Sequence, residues 1–358
     1  MDVLVLRMTC KCVSHKCEWF ARAKCRFSKL FVVSLVQWAD QDVSQWHDRH
    51  RSPPRRSGRA RPFRQNRKPQ YCARLDRQGS KEKPDVIAFG EAWLPGYPFF
   101  IDSPLSDLWW TAAGELLKNG ILLDGPEVAA LCKAAKRAKA DIVIGINELD
   151  PQTRSTLYCT MLTIGKDGTV LNRHRKIKPT HHERSVWGDG DAKGLKPVQR
   201  DWGRLSSLNC WEHNAVLPAY ALMAQGVDVH VAAWPGREPE EAPKQPVWAR
   251  QLLLSRAFAS QAAAWVICSA GIRMQQHVPA KYQPLYEFDH NGGACIIDPR
   301  GEVVAGLLRD EEGLLVADAD LALARACKVA SDPAGHYSRP DLFRLEVDWK
   351  EIYPGDRG

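Results

Sequence analysis

From Asp85 onward the apolar and polar positions follow two periods. Residues 85–89, 141–146, 157–164, 205–209, 228–234, 265–269 and 314–317 are short, mostly apolar runs of strand length. Residues 125–140 instead place Val128, Leu131, Cys132 and Ala135 on one helical face. Lys and Arg crowd the last turns of that segment, where a helix dipole favours positive charge. Leu217, Tyr220, Ala221 and Ala224 recur at helical spacing up to a stop at Gly226. Residues 247–264 predict another helix, and Asp320 caps a final one running to about Ala330. The breakers Pro95-Gly96-Tyr97-Pro98 open a loop over residues 94–107. Lys166-Asp167-Gly168 is a turn into a strand at 169–171, and Pro299-Arg300-Gly301 closes a hairpin between 293–298 and 302–308. Strands mixed with helices in this way predict a layered α/β domain.

Residues 1–84 break the pattern. They carry 20 Lys/Arg against 7 Asp/Glu, whereas the rest of the chain carries 30 against 35. The net charge of +8 therefore belongs to the N-terminal quarter, and charge gives the main domain no support for binding nucleic acid. Cys10, Cys12, Cys17 and Cys25 cluster with His15 there, but at spacings that fit no paired CxxC zinc pattern. From Arg49 to Arg77 the segment is dense in arginine, holds Pro53-Pro54 and has few aromatics between its charges, so a poorly ordered stretch is expected. Residues 30–37, LFVVSLVQ, have strand character, yet no amphipathic helix follows them. The abrupt change at Lys81–Pro84 also admits an altered reading frame up to about Gly79.

With 358 residues, 44% hydrophobic and 26% charged, the composition is that of a globular protein with a substantial core. No run approaches the ~18 apolar residues of a membrane span. The eleven cysteines show no disulfide framework, and reduced thiols in a cytoplasmic protein are expected.

The chemistry centres on residues 204–236, RLSSLNCWEHNAVLPAYALMAQGVDVHVAAWPG. Cys210 stands where a strand passes into a helix. That position exposes the sulfur, and the unpaired backbone N–H groups and helix dipole there favour its thiolate. Taken alone, the same cysteine reads equally well as a buried apolar side chain. Glu91 reads as a charge at a strand end. Lys176, among Arg173, His174, Arg175 and Lys178, reads as part of a solvated basic face. Thr180-His181-His182-Glu183 lacks both the HExxH spacing and a third ligand, so no metal is expected. His213, three residues after Cys210, invites a Cys–His dyad.

The segment around Cys210 resembles the nucleophile region of the nitrilases, a branch of the carbon–nitrogen hydrolase superfamily. Residues 85–100, DVIAFGEAWLPGYPFF, resemble the strand of that family that ends in a catalytic glutamate, here Glu91. Residues 172–190, NRHRKIKPTHHERSVWGDG, resemble its lysine segment, with Lys176 in the catalytic place and Glu183 as a second glutamate. The blocks stand in family order, and the likeness spans residues 85–345, leaving a short tail at 346–358.

The resemblance implies a four-layer αββα sandwich and hydrolysis of a nitrile to its carboxylic acid and ammonia. Glu91 would take the Cys210 proton and later activate water. Lys176 would stabilise the charge developing on nitrogen, and Glu183 would orient the lysine or the water. A covalent thioimidate would become a thioester and then the free acid, with no cofactor. Trp187 and Trp211 are the candidate walls of an apolar substrate pocket. A small-molecule nitrile is the expected partner, and a homodimer or higher homo-oligomer the expected assembly.

Two features depart from the family pattern. Ser206-Ser207 stands where the family usually carries a glycine pair, and the tail is short for a protein of a family that builds spirals. An amidase, a carbamoylase, a cyanide hydrolase and an inactive scaffold remain alternatives, separated by ammonia release from nitriles, cyanide and amides.

Overall fold

The computed structural model describes residues 84–236, 250–306, 311–330 and 332–349, and the backbone of 27–34. The cysteine cluster, the arginine-rich stretch and the region after the first strand, where no helix was expected, lie outside the described residues. So do the ends of the predicted elements at 247–249 and 307–308 and the tail from 350.

In chain order the elements begin with β1 (Phe27–Ser34), β2 (Val86–Ala88), α1 (Asp107–Lys118), α2 (Pro126–Ala138), β3 (Asp141–Leu149), β4 (Leu157–Ile164) and β5 (Val170–Arg175). The second half contains β6 (Val198–Gln199), β7 (Arg204–Asn209), α3 (Leu217–Ala224), β8 (Val229–Trp234), α4 (Arg250–Ala262), β9 (Trp265–Ala270), β10 (Ile272–Arg273) and β11 (His290–Asn291). It closes with β12 (Cys295–Ile297), β13 (Val303–Gly306), β14 (Gly313–Asp320) and α5 (Leu321–Ala330).

Two six-stranded sheets form, in the orders β14-β1-β2-β3-β4-β5 and β13-β12-β9-β8-β7-β6. Strand β1 meets the expectation for LFVVSLVQ with a register a few residues earlier. It lies parallel to β2, Leu30 opposite Val86, and antiparallel to β14, Leu30 opposite Ala317.

The layering follows from the two-residue period of the strands. On β3, Val143 faces inward and joins Val86, Ala88 and Met161 against Leu208, Val231 and Ile267 of the opposite sheet. Its neighbours Ile142, Ile144 and Ile146 face outward onto Val128 and Ala135 of α2. Phe258, Ala259 and Ala262 of α4 pack the other sheet's outer face. Strands covered on both faces read as continuous apolar runs, which is why β3, β4, β8 and β9 were plain in the sequence. The result is the αββα sandwich that the resemblance implied.

Two elements differ from expectation. Strand β5 runs to Arg175, beyond 169–171, because its polar residues are paired inside: Arg175 Nε donates to Glu148 at 3.1 Å, and His174 is fully buried. Helix α1 occupies the stretch just after the 94–107 loop; Ser106 caps it by accepting the Trp109 N–H at 3.2 Å. Asp320 caps α5 as predicted, accepting the Ala322 N–H at 2.8 Å. Among the described residues, no helix is long and apolar enough to cross a membrane.

Candidate active site

Strands β2 and β3 are parallel, and β3, β4 and β5 alternate in direction, so β2 and β5 point the same way. Their carboxyl ends carry Glu91 and Lys176. The carboxyl end of β7, in the other sheet, carries Cys210.

Each strand end is fixed by backbone contacts. The Glu91 N–H donates to the Trp234 carbonyl at 3.2 Å, which ties the end of β2 to the end of β8 across the sandwich. The Lys176 N–H donates to the Cys159 carbonyl at 2.7 Å. Gly190 lets the chain pass over this point; a Cβ there would lie 2.6 Å from the Lys176 carbonyl oxygen. Ala92 and Cys210 both adopt φ of 44°, a left-handed conformation that costs a non-glycine residue about 1–3 kcal/mol. Such strain beside Glu91 and at Cys210 itself is held by the surrounding packing. Cys210 opens a 3₁₀ turn, Cys210–His213.

The structure brings Glu91, Lys176 and Glu183 into direct contact. Lys176 Nζ donates to Glu91 Oε1 and to Glu183 Oε2, each at 2.6 Å, and all three side chains are buried. Glu183 also accepts from the Thr180 N–H at 2.6 Å and from the Tyr97 hydroxyl at 2.8 Å. The Glu183 carboxylate is thus committed to the lysine and not to the neighbouring histidines. His182 pairs with Asp102 at 3.1 Å on the surface.

Electrostatics separate the roles. Burial pushes the Glu91 carboxyl up to about 7; Lys176 pulls it down and the Glu183 charge pushes it further up. Burial also works against the Lys176 ammonium, but Glu183 and Glu91 outweigh it and hold the group charged well above the usual lysine range. A thiolate at Cys210 would add to that stabilisation and raise the Tyr97 phenol too, so the sulfur is within electrostatic reach of the same cluster. The arrangement provides a carboxyl that exchanges a proton near neutrality, a fixed cation and a thiol.

Two contributors were not singled out in the sequence. Cys159 on β4 donates from Sγ to Glu91 Oε1 at 3.3 Å, and burial, then the Glu91 charge, keeps it a thiol. It was hidden because every residue of β4 is buried, and one more small apolar-looking residue carries no signal. Tyr97 is the other; its position in the Pro-Gly-Tyr-Pro loop marked a turn, not a hydroxyl aimed at Glu183.

Trp187 is buried, donates from Nε1 to Asn147 Oδ1 at 2.7 Å, and sets its ring 5.7 Å from Lys176 Nζ. Trp211 is half-buried, with its ring 5.6 Å from that of His181. His213 uses both ring nitrogens elsewhere, on the Cys210 carbonyl at 2.7 Å and on His230 at 2.9 Å, so it makes no dyad with the sulfur. A cavity of about 80 Å³ opens beside Tyr97, lined also by Phe99, Phe100, Leu116 and Tyr282. Among the described residues, no group of three or more His, Cys, Asp or Glu is placed to hold a metal ion.

Comparison with known proteins follows the same lines. Residues 70–329 match the model of the carbon-nitrogen hydrolase family. The chain is 44% identical over 278 residues to Nitrilase 2 from an unknown prokaryotic organism, covering 77% of this chain and 86% of that one. It is 36% identical over 283 residues to an aliphatic nitrilase of Rhodococcus rhodochrous, covering 75% of each. Among solved structures, Saccharomyces cerevisiae Nit3, a member of branch 10 of the nitrilase superfamily, superposes with a TM-score of 0.62 at 17% identity, covering 88% of this chain and 97% of that one. At that identity the likeness speaks for the fold.

Proposed function

The chain belongs to the carbon-nitrogen hydrolase family, and from that premise we propose that Cys210, Glu91, Lys176 and Glu183 carry out its reaction. The enzyme is a hydrolase of nitrile carbon–nitrogen bonds and works through a covalent cysteine intermediate. The observation that supports this assignment is Lys176 Nζ held at 2.6 Å from both carboxylates, with the Cys210 sulfur within electrostatic reach of the same ammonium.

A nitrile carbon is weakly electrophilic, and attack on it places negative charge on nitrogen before any group leaves. Glu91, with its carboxyl near 7, takes the thiol proton as the Cys210 sulfur bonds to the nitrile carbon. The proton passes to nitrogen, giving a thioimidate. Lys176 meets the charge developing on that nitrogen with a preorganised cation in a water-poor site. Water, activated by the same carboxylate, adds to the thioimidate carbon, and ammonia leaves to give a thioester. A second water cleaves the thioester to the carboxylic acid and returns the thiol. Glu183 orients Lys176, and Tyr97 orients Glu183. Trp187 and Trp211 supply apolar wall to the substrate.

The cytoplasm is the compartment this reading favours, since none of the described cysteines forms a disulfide. A homo-oligomer is supported by the exposed Tyr337, Leu342, Phe343 and Trp349 beyond α5, apolar surface that a monomer seldom leaves bare. Light scattering on the purified protein tests it.

The decisive experiment measures ammonia release from phenylacetonitrile, an aliphatic dinitrile, cyanide and the matching amides, with Cys210→Ala as control. Nitrile turnover, lost in a folded Cys210→Ala enzyme, is expected, together with a mass increment on Cys210 under substrate. Turnover of amides alone would move the enzyme to the amidases. Full activity in Cys210→Ala would remove the covalent mechanism.

A further inference from the structure

Ser206, one of the two serines standing where glycines are usual, faces His230 across the β7–β8 pair, with which it is in register. Its Oγ lies 2.7 Å from His230 Nδ1. His230 Nε2 lies 2.9 Å from His213 Nε2, and His213 Nδ1 lies 2.7 Å from the Cys210 carbonyl oxygen. Ser206, His230 and His213 are all buried. Phe258 stacks on the His230 ring at 3.8 Å, and Trp234 stacks on His213 at 5.4 Å.

The proton positions in this chain are determined by its end. A carbonyl oxygen only accepts, so His213 carries its proton on Nδ1. Its Nε2 is then an acceptor, which requires the proton of His230 on Nε2. His230 Nδ1 is left as an acceptor, and the Ser206 hydroxyl donates to it. An extra proton on His213 Nε2 would set two donors face to face at 2.9 Å, and one on His230 Nδ1 would turn the Ser206 hydroxyl from donor to acceptor. Burial agrees with two neutral rings: it brings His213 down to about 4 and His230 well below the usual histidine range.

We propose that Ser206, His230 and His213 form a one-directional relay of positioning residues that fixes the peptide joining Cys210 to Trp211. The relay grips the Cys210 carbonyl from the core side. Because the peptide is planar and trans, the Trp211 N–H then points the opposite way, out of the core. The same grip opposes relaxation of the left-handed Cys210 backbone. Ser206 so read has a use of its own: the Cys210 carbonyl fixes both tautomers and leaves His230 Nδ1 an acceptor, and the Ser206 hydroxyl supplies the donor that keeps His230 in place. None of the three touches the reacting atoms.

The proposal rests on Cys210 being the nucleophile, and its test has arms that need no nitrile. In the full-length enzyme with ¹⁵N-labelled histidine, long-range ¹⁵N–¹H spectra at neutral pH are expected to show His213 protonated on Nδ1 and His230 on Nε2. Ser206→Ala, which removes the hydroxyl and little volume, is expected to lower kcat for phenylacetonitrile about three- to tenfold, the cost of one lost hydrogen bond, with KM unchanged within about twofold. Alkylation of Cys210 by iodoacetamide should slow with it, and Ser206→Thr, which keeps the donor, should restore both. A charged His213, or one protonated on Nε2, would overturn the relay even if every variant failed to fold. So would a Ser206→Ala enzyme that matches the parent in kcat and alkylation. Correct tautomers and slowed alkylation in a protein inert to every nitrile would uphold the relay and reject the substrate.

Discussion

The Glu212 carboxylate accepts the Ile177 N–H at 2.9 Å and so joins the turn that begins at Cys210 to the strand end that presents Lys176. The same carboxylate accepts the Asn209 N–H at 2.8 Å and His174 Nε2 at 3.0 Å. One buried side chain thus holds the residue before Cys210 and the residue after Lys176, the first the end of β7 and the second just beyond β5 of the other sheet. Burial alone would raise its pKa, but His174 and the two N–H groups prevail and the net effect is a lowering.

Glu212→Gln places an NH₂ against a backbone donor and removes a buried charge that three donors share. A loss of about 2–3 kcal/mol in urea denaturation is expected at neutral pH, together with a fall in turnover. The sign of its pH dependence follows from the lowered pKa. The stabilisation is present above the unfolded carboxyl value of 4.5 and is lost as the pH falls through the folded value, so the gap between parent and variant should narrow on acidification below 4.5.

As the proposed base, Glu91 must be ionised to take a proton, and its carboxyl is raised to about 7. The kcat/KM for a neutral nitrile is therefore expected to climb about tenfold per pH unit below that value and to level off above it. Glu91→Gln should remove turnover at every pH. An acid limb near the ordinary glutamate value of 4.5 would take Glu91 out of the role of base.

Cys159 offers a finer test of the same group. Its thiol hydrogen bond stabilises the Glu91 carboxylate and lowers its pKa. Cys159→Ala should move the acid limb to higher pH, by about half a unit for a weak bond of under 1 kcal/mol. Cys159→Ser, with a stronger donor, should move it to lower pH. Shifts of the two variants in the same direction would disprove the bond.

Lys176 neutralises two buried carboxylates, both within 2.6 Å. Lys176→Met leaves them facing each other without a cation, and a loss of about 3–5 kcal/mol in stability is expected. Lys176→Met with Glu183→Gln should regain part of that stability while remaining inactive. Thermal unfolding separates these, and a double variant no more stable than the single one would mean that the carboxylates do not share the lysine's charge.

From the sequence alone a layered α/β domain was legible, because β3, β4, β8 and β9 bury both faces and so show as unbroken apolar runs, while α2 shows as a single apolar stripe; the four layers came from the family resemblance. Glu91, Lys176, Glu183 and Cys210 were picked out by resemblance to the family's segments and not by their local patterns, which read as a strand-end charge, a basic face and a buried thiol. What the chain could not display was the company they keep. Lys176 sits in a run of five basic residues and one apolar residue, 173–178, that reads as solvated surface, and only the pairing of β5 with β4 turns His174, Arg175 and Lys176 inward. Cys159, Tyr97, Glu212 and the Ser206–His230–His213 chain act through contacts between residues 3 to 86 positions apart. Tertiary structure alone decided them, since a hydrogen bond depends on distance and direction in space, and residue order along a strand records only which face a side chain occupies.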